Sequence, residues 1–169
     1  MARIDEFRAM LAGGGARPSQ FRVSLNIPGE NNANQAAVFL VKGASLPASN
    51  ITPIDVFFRG RIAKVAGERQ FANWNVTILN DNDFVIRNAL EQWSKRILDH
   101  SSTTGLLAPI SYITDMRVEQ LDRNDNAIKA YKFFNCFPQN IQEIQLDFAA
   151  TTQIEEFQVE FSVDYWEVA

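Results

Sequence analysis

Near the start of the chain apolar and polar residues alternate one for one: Phe21, Val23, Leu25 and Ile27 with Arg22, Ser24 and Asn26 between them. A period of two puts the apolar side chains on one face of an extended segment, which predicts a half-buried β-strand. The alternation returns in Trp74, Val76 and Ile78, set against Asn73, Asn75 and Thr77. It is cleanest at the end of the chain, where Phe157, Val159, Phe161, Val163 and Tyr165 face one way and Gln158, Glu160, Ser162 and Asp164 the other. A slip of one residue there would bury acids and expose phenylalanines, so the register of this last strand is strongly specified.

Between these landmarks the pattern predicts further strands. GENNAN, residues 29–34, has the composition of a turn or loop, and residues 36–42 read as a second strand ahead of Pro47, so a hairpin is the economical pairing. From 51 to 79 the order is strand, turn, strand, loop, strand, with Gly60 and Gly67 as the turn points. Residues 112–121, 127–136 and 141–148 complete the set, with a DRNDN turn at 122–126.

Helical spacing occurs twice. Ile4, Phe7 and Leu11 predict a short amphipathic helix over 2–11, stopped by Gly13, Gly14 and Gly15, which form a hinge. Ile86, Leu90, Trp93 and Ile97 recur at four, three and four residues and predict the one long helix, with N-cap candidates in NDND at 80–83 and an end near His100. A loop then runs from Ser101 to about Pro109. Antiparallel strands broken by one helix define a mainly β fold: an antiparallel β-barrel or sandwich with one flanking α-helix and a short N-terminal helix. The 169 residues, 46% of them hydrophobic, suit a single domain over 1–169 with a full core. No run approaches the roughly 20 apolar residues of a membrane helix.

Candidate chemistry is sparse. The chain has one histidine, His100, and one cysteine, Cys136. A zinc site built on His and Cys needs several of them, and a hydrolytic triad needs a base held against a nucleophile by a third group. Asp81 with Asp83, Asp122 with Asp125, and Glu155 with Glu156 read as a helix cap, a hairpin turn and a solvated strand entry. DRNDN lacks the glycine and distal glutamate of a calcium loop. Neither an enzyme nor a cofactor is indicated.

Charge alters the picture more. The net charge is -4, yet residues 139–169 carry seven acids and no Lys or Arg, which leaves residues 1–138 at +3. The cations Arg59, Arg61, Lys64 and Arg69 lie close together, interleaved with Phe58, Ile62 and Val65. Such a stretch can bind phosphate, but stacking aromatics are not spaced along it as single-strand binding requires. Contact with the acidic C-terminal segment of another copy fits the charge map better.

Four stretches carry a family resemblance: RPSQFRVSL near the start, KGASLPASNI at 42–51, FFRGRIAKVAGERQFANWNVTILND at 57–81, and IQEIQLDF through EFQVEFSVDYWE at the end. In order and spacing they resemble the tail tube protein of contractile-tailed bacteriophages, a family related to the tubes of type VI secretion and extracellular injection systems. The resemblance implies a non-enzymatic β-barrel protomer of the virion, assembled in the host cytoplasm, with no membrane or cofactor. Six-membered rings would stack into a hollow tube inside a contractile sheath, and DNA would leave through the lumen. The implied partners are further copies, the sheath, baseplate and tail terminator proteins, and, in the lumen, the tape measure protein and DNA. It also implies that an extended loop and hairpin at about 43–71 reach the neighbouring ring, with Val65, Arg69 and Phe71 as contacts. Tyr165, Trp166 and the N-terminal segment 1–15 are further contact candidates, and Glu160, Ser162 and Asp164 candidates to line a wet lumen. Two other readings stay open: a tube subunit of a phage-derived injection particle, and a small-molecule-binding barrel.

Overall fold

The computed structural model describes residues 3–169. Its elements run α1 (Ile4–Met10), β1 (Phe21–Ser24), α2 (Asn31–Leu40), β2 (Val41–Ala44), β3 (Asn50–Phe58), β4 (Arg61–Gln70), β5 (Trp74–Leu79), α3 (Val85–Ile97), a 3-10 turn (Pro109–Ser111), β6 (Thr114–Leu121), β7 (Ala127–Ile141), β8 (Glu156–Ser162) and β9 (Tyr165–Val168). All strand pairs are antiparallel. Seven strands form one sheet in the order β1-β6-β7-β8-β5-β2, with β9 also on β7, and β3 and β4 form a separate two-stranded sheet.

The long strand β7 holds the body together. Its first part, from Ala127 to Cys136, pairs with β6, residues 131–134 also pair with β9, and its last part, Phe137 to Ile141, pairs with β8. Partners change between Cys136 and Phe137, next to Asn135 with its positive φ of 56°, and the pairing with β8 then shifts register between Pro138 and Asn140. One strand thereby serves two sheet segments that share a core. The sheet is open within one chain: β1 and β2 are its ends, each paired along one edge only.

The core is the inward face of these strands covered by two helices. Val23, Trp74, Val76, Ile78, Met116, Val118, Phe133, Phe157, Val159 and Phe161 meet Ala33 and Ala37 of α2 and Ile86, Leu90 and Trp93 of α3. Trp74 stacks on Phe133 at 4.4 Å between centroids, and its indole N–H donates to the Ser45 carbonyl at 2.9 Å. The Trp93 N–H likewise donates to the Tyr112 carbonyl at 2.9 Å. Trp74 and Trp93 thus each have the partner that burial of an indole requires. Cys136 lies in the same core, and burial, aided by the negative charges of Asp115 and Asp164, pushes its thiol up to about 12. Ellman's reagent at pH 8 is therefore expected to leave the native protein unmodified and to titrate one thiol after denaturation. Rapid reaction of the folded protein would show that β7 opens at Cys136.

Several expectations need correction. Residues 29–34 and 36–42 are not a turn and a strand: α2 spans most of both, and only Val41–Ala44 is extended. The helix wins because Ala33 and Ala37, four apart, fit their small side chains into the core, and Asn34 satisfies both the N–H (2.7 Å) and the carbonyl (3.1 Å) of Ile27. The expected hairpin is absent, since β1 pairs with β6 and β2 with β5. Residues 141–148 are not a strand of their own: β7 runs on to Ile141, and 142–155 form no strand. Gly67 is no turn; it lies inside β4.

The last apolar series is interrupted. Phe157, Val159, Phe161 and Val163 are buried together, but the chain breaks at Val163 and Asp164, and Tyr165 starts β9 with its ring stacked on Phe134 at 4.6 Å. The N-cap of α3 is Phe84, at a left-handed φ of 52° and without a side-chain cap bond, and not one of the NDND residues expected there; Asp81 contributes from outside the cap by accepting the Val85 N–H at 3.0 Å. The helix stops at Ile97, short of His100. Helix α1 matches the expected N-terminal helix, although Ala2 at its predicted start lies outside the described residues.

Candidate assembly interface

Strands β3 and β4 have almost no buried position, and neither makes a substantial contact with any other helix or strand. They are joined by a two-residue turn, Arg59-Gly60, with φ of 47° and 79°. Two successive positive φ values are the hairpin geometry that matches strand twist, and Gly60 supplies one of them without strain. Arg59 supplies the other at a cost, with its guanidinium 5.2 Å from the centroid of the Phe58 ring.

Register assigns the faces. Ile54 opposes Val65, Val56 opposes Ala63 and Phe58 opposes Arg61, so one face is a nearly continuous apolar strip with an arginine at its tip. On the other face Asp55 opposes Lys64, flanked by the Phe57–Ile62 and Pro53–Ala66 pairs. Phe57 is 78% exposed and Phe58 66%. A two-stranded hairpin alone in water is marginal, and an exposed apolar surface of this extent is what interaction sites present. Counting Arg59, Arg61, Lys64 and Arg69 against Asp55 and Glu68, the hairpin carries +2.

The predicted contact residues fall into two groups. Arg59, Arg61, Lys64 and Val65 occupy the outer part of the hairpin, and the ten residues of β4 place its tip roughly 30 Å from its root by strand rise. Arg69 sits near the root, donating to Ser49 Oγ at 2.7 Å. Phe71, Tyr165 and Trp166 lie on the body. Phe71 meets Trp166 edge-on at 6.1 Å, Trp166 also packs edge-on against Tyr131 at 5.5 Å, and Tyr165 lies flat on Phe134. Phe71 and Trp166 thereby brace the point where the hairpin leaves the body. Sequence reasoning made the cations, Val65 and Phe71 its contact candidates in this segment, named Phe58 and Ile62 only as interleaved with the cations, and passed over Ile54, Val56 and Phe57. The signal was present, since ITPIDVFF is apolar on both faces, a pattern that ordinarily marks a strand covered on both sides.

Gly67 is required by close approach. A β-carbon there would lie 2.4 Å from the Thr52 carbonyl oxygen and 2.9 Å from Ile54, beside the register shift between Ile51 and Pro53. Gly67→Ala is expected to distort the hairpin while leaving the melting temperature of the body within about 2 °C, because a surface change away from the core costs little. Thermal melting by circular dichroism checks the second part. A large drop would show that the hairpin and body fold as one unit.

The remaining polar clusters have structural explanations. Asp99 accepts from Ser101 Oγ and from the backbone N–H groups of Ser101 and Ser102, which lowers its carboxyl well below the ordinary range. Asp122 accepts from the backbone of Asn126 and Asn124 and is lowered for the same reason. Both organise turns. Among the described residues no three His, Cys, Asp or Glu side chains cluster as metal ligands, and no helix is long and apolar enough to cross a membrane. The space inside the sheet where a ligand-binding barrel would hold its ligand is filled by Trp74, Phe133 and Phe161.

Among the described residues a filled body thus carries an exposed, apolar and basic hairpin, the kind of surface that protein interaction sites present. Comparison with known proteins specifies the kind of protein: residues 16–169 match the phage tail tube protein family, and the chain belongs to it. It is 31% identical over 164 residues to tail tube protein gp19 of Enterobacteria phage T4, covering 96% of this chain and 98% of that one. It is 30% identical over 162 residues to the tail tube protein of Serratia phage KSP90, covering 93% and 92%. These relatives are structural proteins, and phage tail tube proteins are virion components.

The fold also occurs in solved assemblies. The anti-feeding prophage tube-terminating cap superposes with a TM-score of 0.68 at 16% identity, over 92% of this chain and 91% of that one. A chain of the PVC sheath-tube complex of an extracellular contractile injection system superposes at 0.62 with 14% identity, over 95% and 96%. At such identities the likeness establishes the fold alone.

Proposed function

We propose that six copies form a ring and that rings stack into the hollow inner tail tube through which phage DNA passes to the host. The observation that carries this reading is the β3–β4 hairpin, whose apolar faces have no substantial contact with another helix or strand among the described residues. Arg59, Arg61, Lys64, Val65 and Arg69 act in contacts between copies, with Phe71, Tyr165 and Trp166 at the hairpin root or beside it. The single-edged strands β1 and β2 support ring formation, because joining such edges between copies closes a sheet and removes exposed backbone. Helix α1, seven residues long with none buried, gains a further reason to persist if another copy covers Ile4 and Phe7.

The tube is assembled in the host cytoplasm against the baseplate, is capped by a terminator, and is enclosed by the contractile sheath. The tape measure protein and DNA occupy the lumen transiently and without sequence preference. A polar outward face bearing Gln158, Glu160 and Ser162 on β8 and Asn75 and Thr77 on β5 suits a wet lining, since acidic or neutral walls do not hold phosphates. The second reading, a tube of a phage-derived injection particle, draws on the anti-feeding prophage and PVC likenesses. The phage relatives match at about twice the identity over nearly the whole chain, which favours the virion. Negative-stain microscopy of purified protein tests the proposal. Six-fold rings or stacked tubes are expected, and single subunits at high concentration would overturn it.

A further inference from the structure

The β7–β8 connection, residues 142–155, is the second exposed apolar surface of the chain. Leu146, Phe148 and Ile154 are all exposed, interspersed with Glu143, Asp147 and Glu155. Beneath it opens a cleft of about 890 Å³, lined by Leu146, Ile154 and the carboxylates of Glu143, Asp147, Glu155 and Glu156, with Lys42 the one cation in the lining. Four acids against one base give this cleft -3, opposite in sign to the +2 of the hairpin. Arg87 fixes its inner edge, donating to the Gln142 carbonyl at 2.7 Å while its guanidinium lies 5.0 Å from the Phe157 ring centroid.

The two surfaces lie at opposite ends of one sheet. Lys42, Leu79 and Glu156 in the cleft lining are at one end of β2, β5 and β8, where Leu79 pairs with Glu156. The hairpin springs from the other end, after Ala44 and before Trp74, where Trp74 pairs with Phe161. Five residue steps of β5, roughly 17 Å, separate the two ends. A projecting ribbon at one end and a cleft of opposite charge at the other make a head-to-tail contact. Such a contact cannot close between two copies and so repeats along an axis.

We infer that the acidic cleft under residues 142–155 receives the β3–β4 hairpin of the next copy along the tube. This rests on the hairpin acting between copies, and it adds the identity of the receiving surface. Apolar contact of Phe57, Phe58 and Ile62 with Leu146, Phe148 and Ile154 supplies affinity, and the charges supply orientation.

Charge exchange tests it, with folding of each variant confirmed by circular dichroism and polymer measured by sedimentation and negative stain. Arg61→Glu with Lys64→Glu should cut polymer by about tenfold or more, as like charges now face each other. Glu143→Lys with Asp147→Lys should do the same, for all four residues are exposed. The chain carrying all four changes should polymerise to within about threefold of the unaltered protein, because the attraction is restored with its sign exchanged. If a chain with a short Gly-Ser bridge in place of residues 50–70 still polymerises, the hairpin is not the assembly element and the underlying reading fails; if the hairpin pair leaves polymer undiminished while that shortened chain forms none, charge does not orient the contact and this inference is overturned alone. If the hairpin pair abolishes polymer while the cleft pair does not, or the fourfold variant stays monomeric, the hairpin is received elsewhere and this inference is overturned alone.

Discussion

A chain in which a short Gly-Ser bridge replaces residues 50–70 folds, melts within about 5 °C of the full protein and forms no tubes. The bridge closes without strain because Asn50 and Gln70 are register partners, which places their α-carbons about 5 Å apart. Melting changes little because no residue of the excised strands belongs to the core. What is lost is the surface of Ile54, Val56, Phe57, Phe58, Ile62 and Val65, each exposed in the isolated chain. Burying such a side chain contributes on the order of 1.5–3 kcal/mol, so even partial burial of a few of them outweighs what the short helix α1 offers. The effect on assembly is therefore close to complete. Sedimentation and negative-stain microscopy read the polymer, and thermal melting reads the body. Normal tubes from the shortened chain would remove the hairpin from the assembly mechanism, and an unfolded product would show that the body depends on it.

How much of this was legible in the sequence depends on whether a segment answers to one environment or to two. Strand β5 and the first part of the last apolar series alternate cleanly because one face meets the core and the other water, so period and burial agree. Helix α3 is legible for the same reason, with Ile86, Leu90 and Trp93 inward. Helix α2 is not, because AAVFL is apolar without a break and a short run of that kind suits a buried strand as well as a helix. The choice is made by tertiary contact, namely the fit of Ala33 and Ala37 against the core and the bonds from Asn34 to Ile27. Strand β7 exceeds its expected end because Pro138, ordinarily a sign against a continuing strand, sits at the register shift just past the point where partners change from β6 and β9 to β8.

The interface divides in the same way. Charge is visible in composition, so Arg59, Arg61, Lys64 and Arg69 stood out against the acidic end of the chain. An apolar strand exposed on both faces is invisible as such, because its sequence is that of a strand buried on both faces. The family resemblance implied an extended loop and hairpin at about 43–71 that reaches the neighbouring ring; the structure has a hairpin of strands Asn50–Phe58 and Arg61–Gln70 that stands off the body.

Trp74→Ala should cost about 3–5 kcal/mol of folding stability, the range for removing a large aromatic from a packed core. A domain of this size has on the order of 5–15 kcal/mol in total, so the variant sits near the margin at 37 °C. The ring is 2% exposed, stacked on Phe133 at 4.4 Å and tilted on Phe161 at 5.9 Å, where the β5 and β8 register brings Trp74 opposite Phe161. Backbone on several sides limits collapse into the void, which favours the upper part of the range. Trp74→Phe separates packing from anchoring. It retains much of the ring but loses the N–H that holds the Ser45 carbonyl, just before the hairpin, at a cost of about 1–2 kcal/mol. Because Ser45 lies between β2 and β3, this milder variant should fold yet polymerise less, its hairpin root having lost a tether to the core. Urea denaturation followed by fluorescence of Trp93 and Trp166 gives both free energies. A Trp74→Ala protein within about 1 kcal/mol of the unaltered chain would place the true core elsewhere. A Trp74→Phe protein with unreduced polymer would show that the hairpin is aimed by Phe71 and Trp166 without help from Trp74.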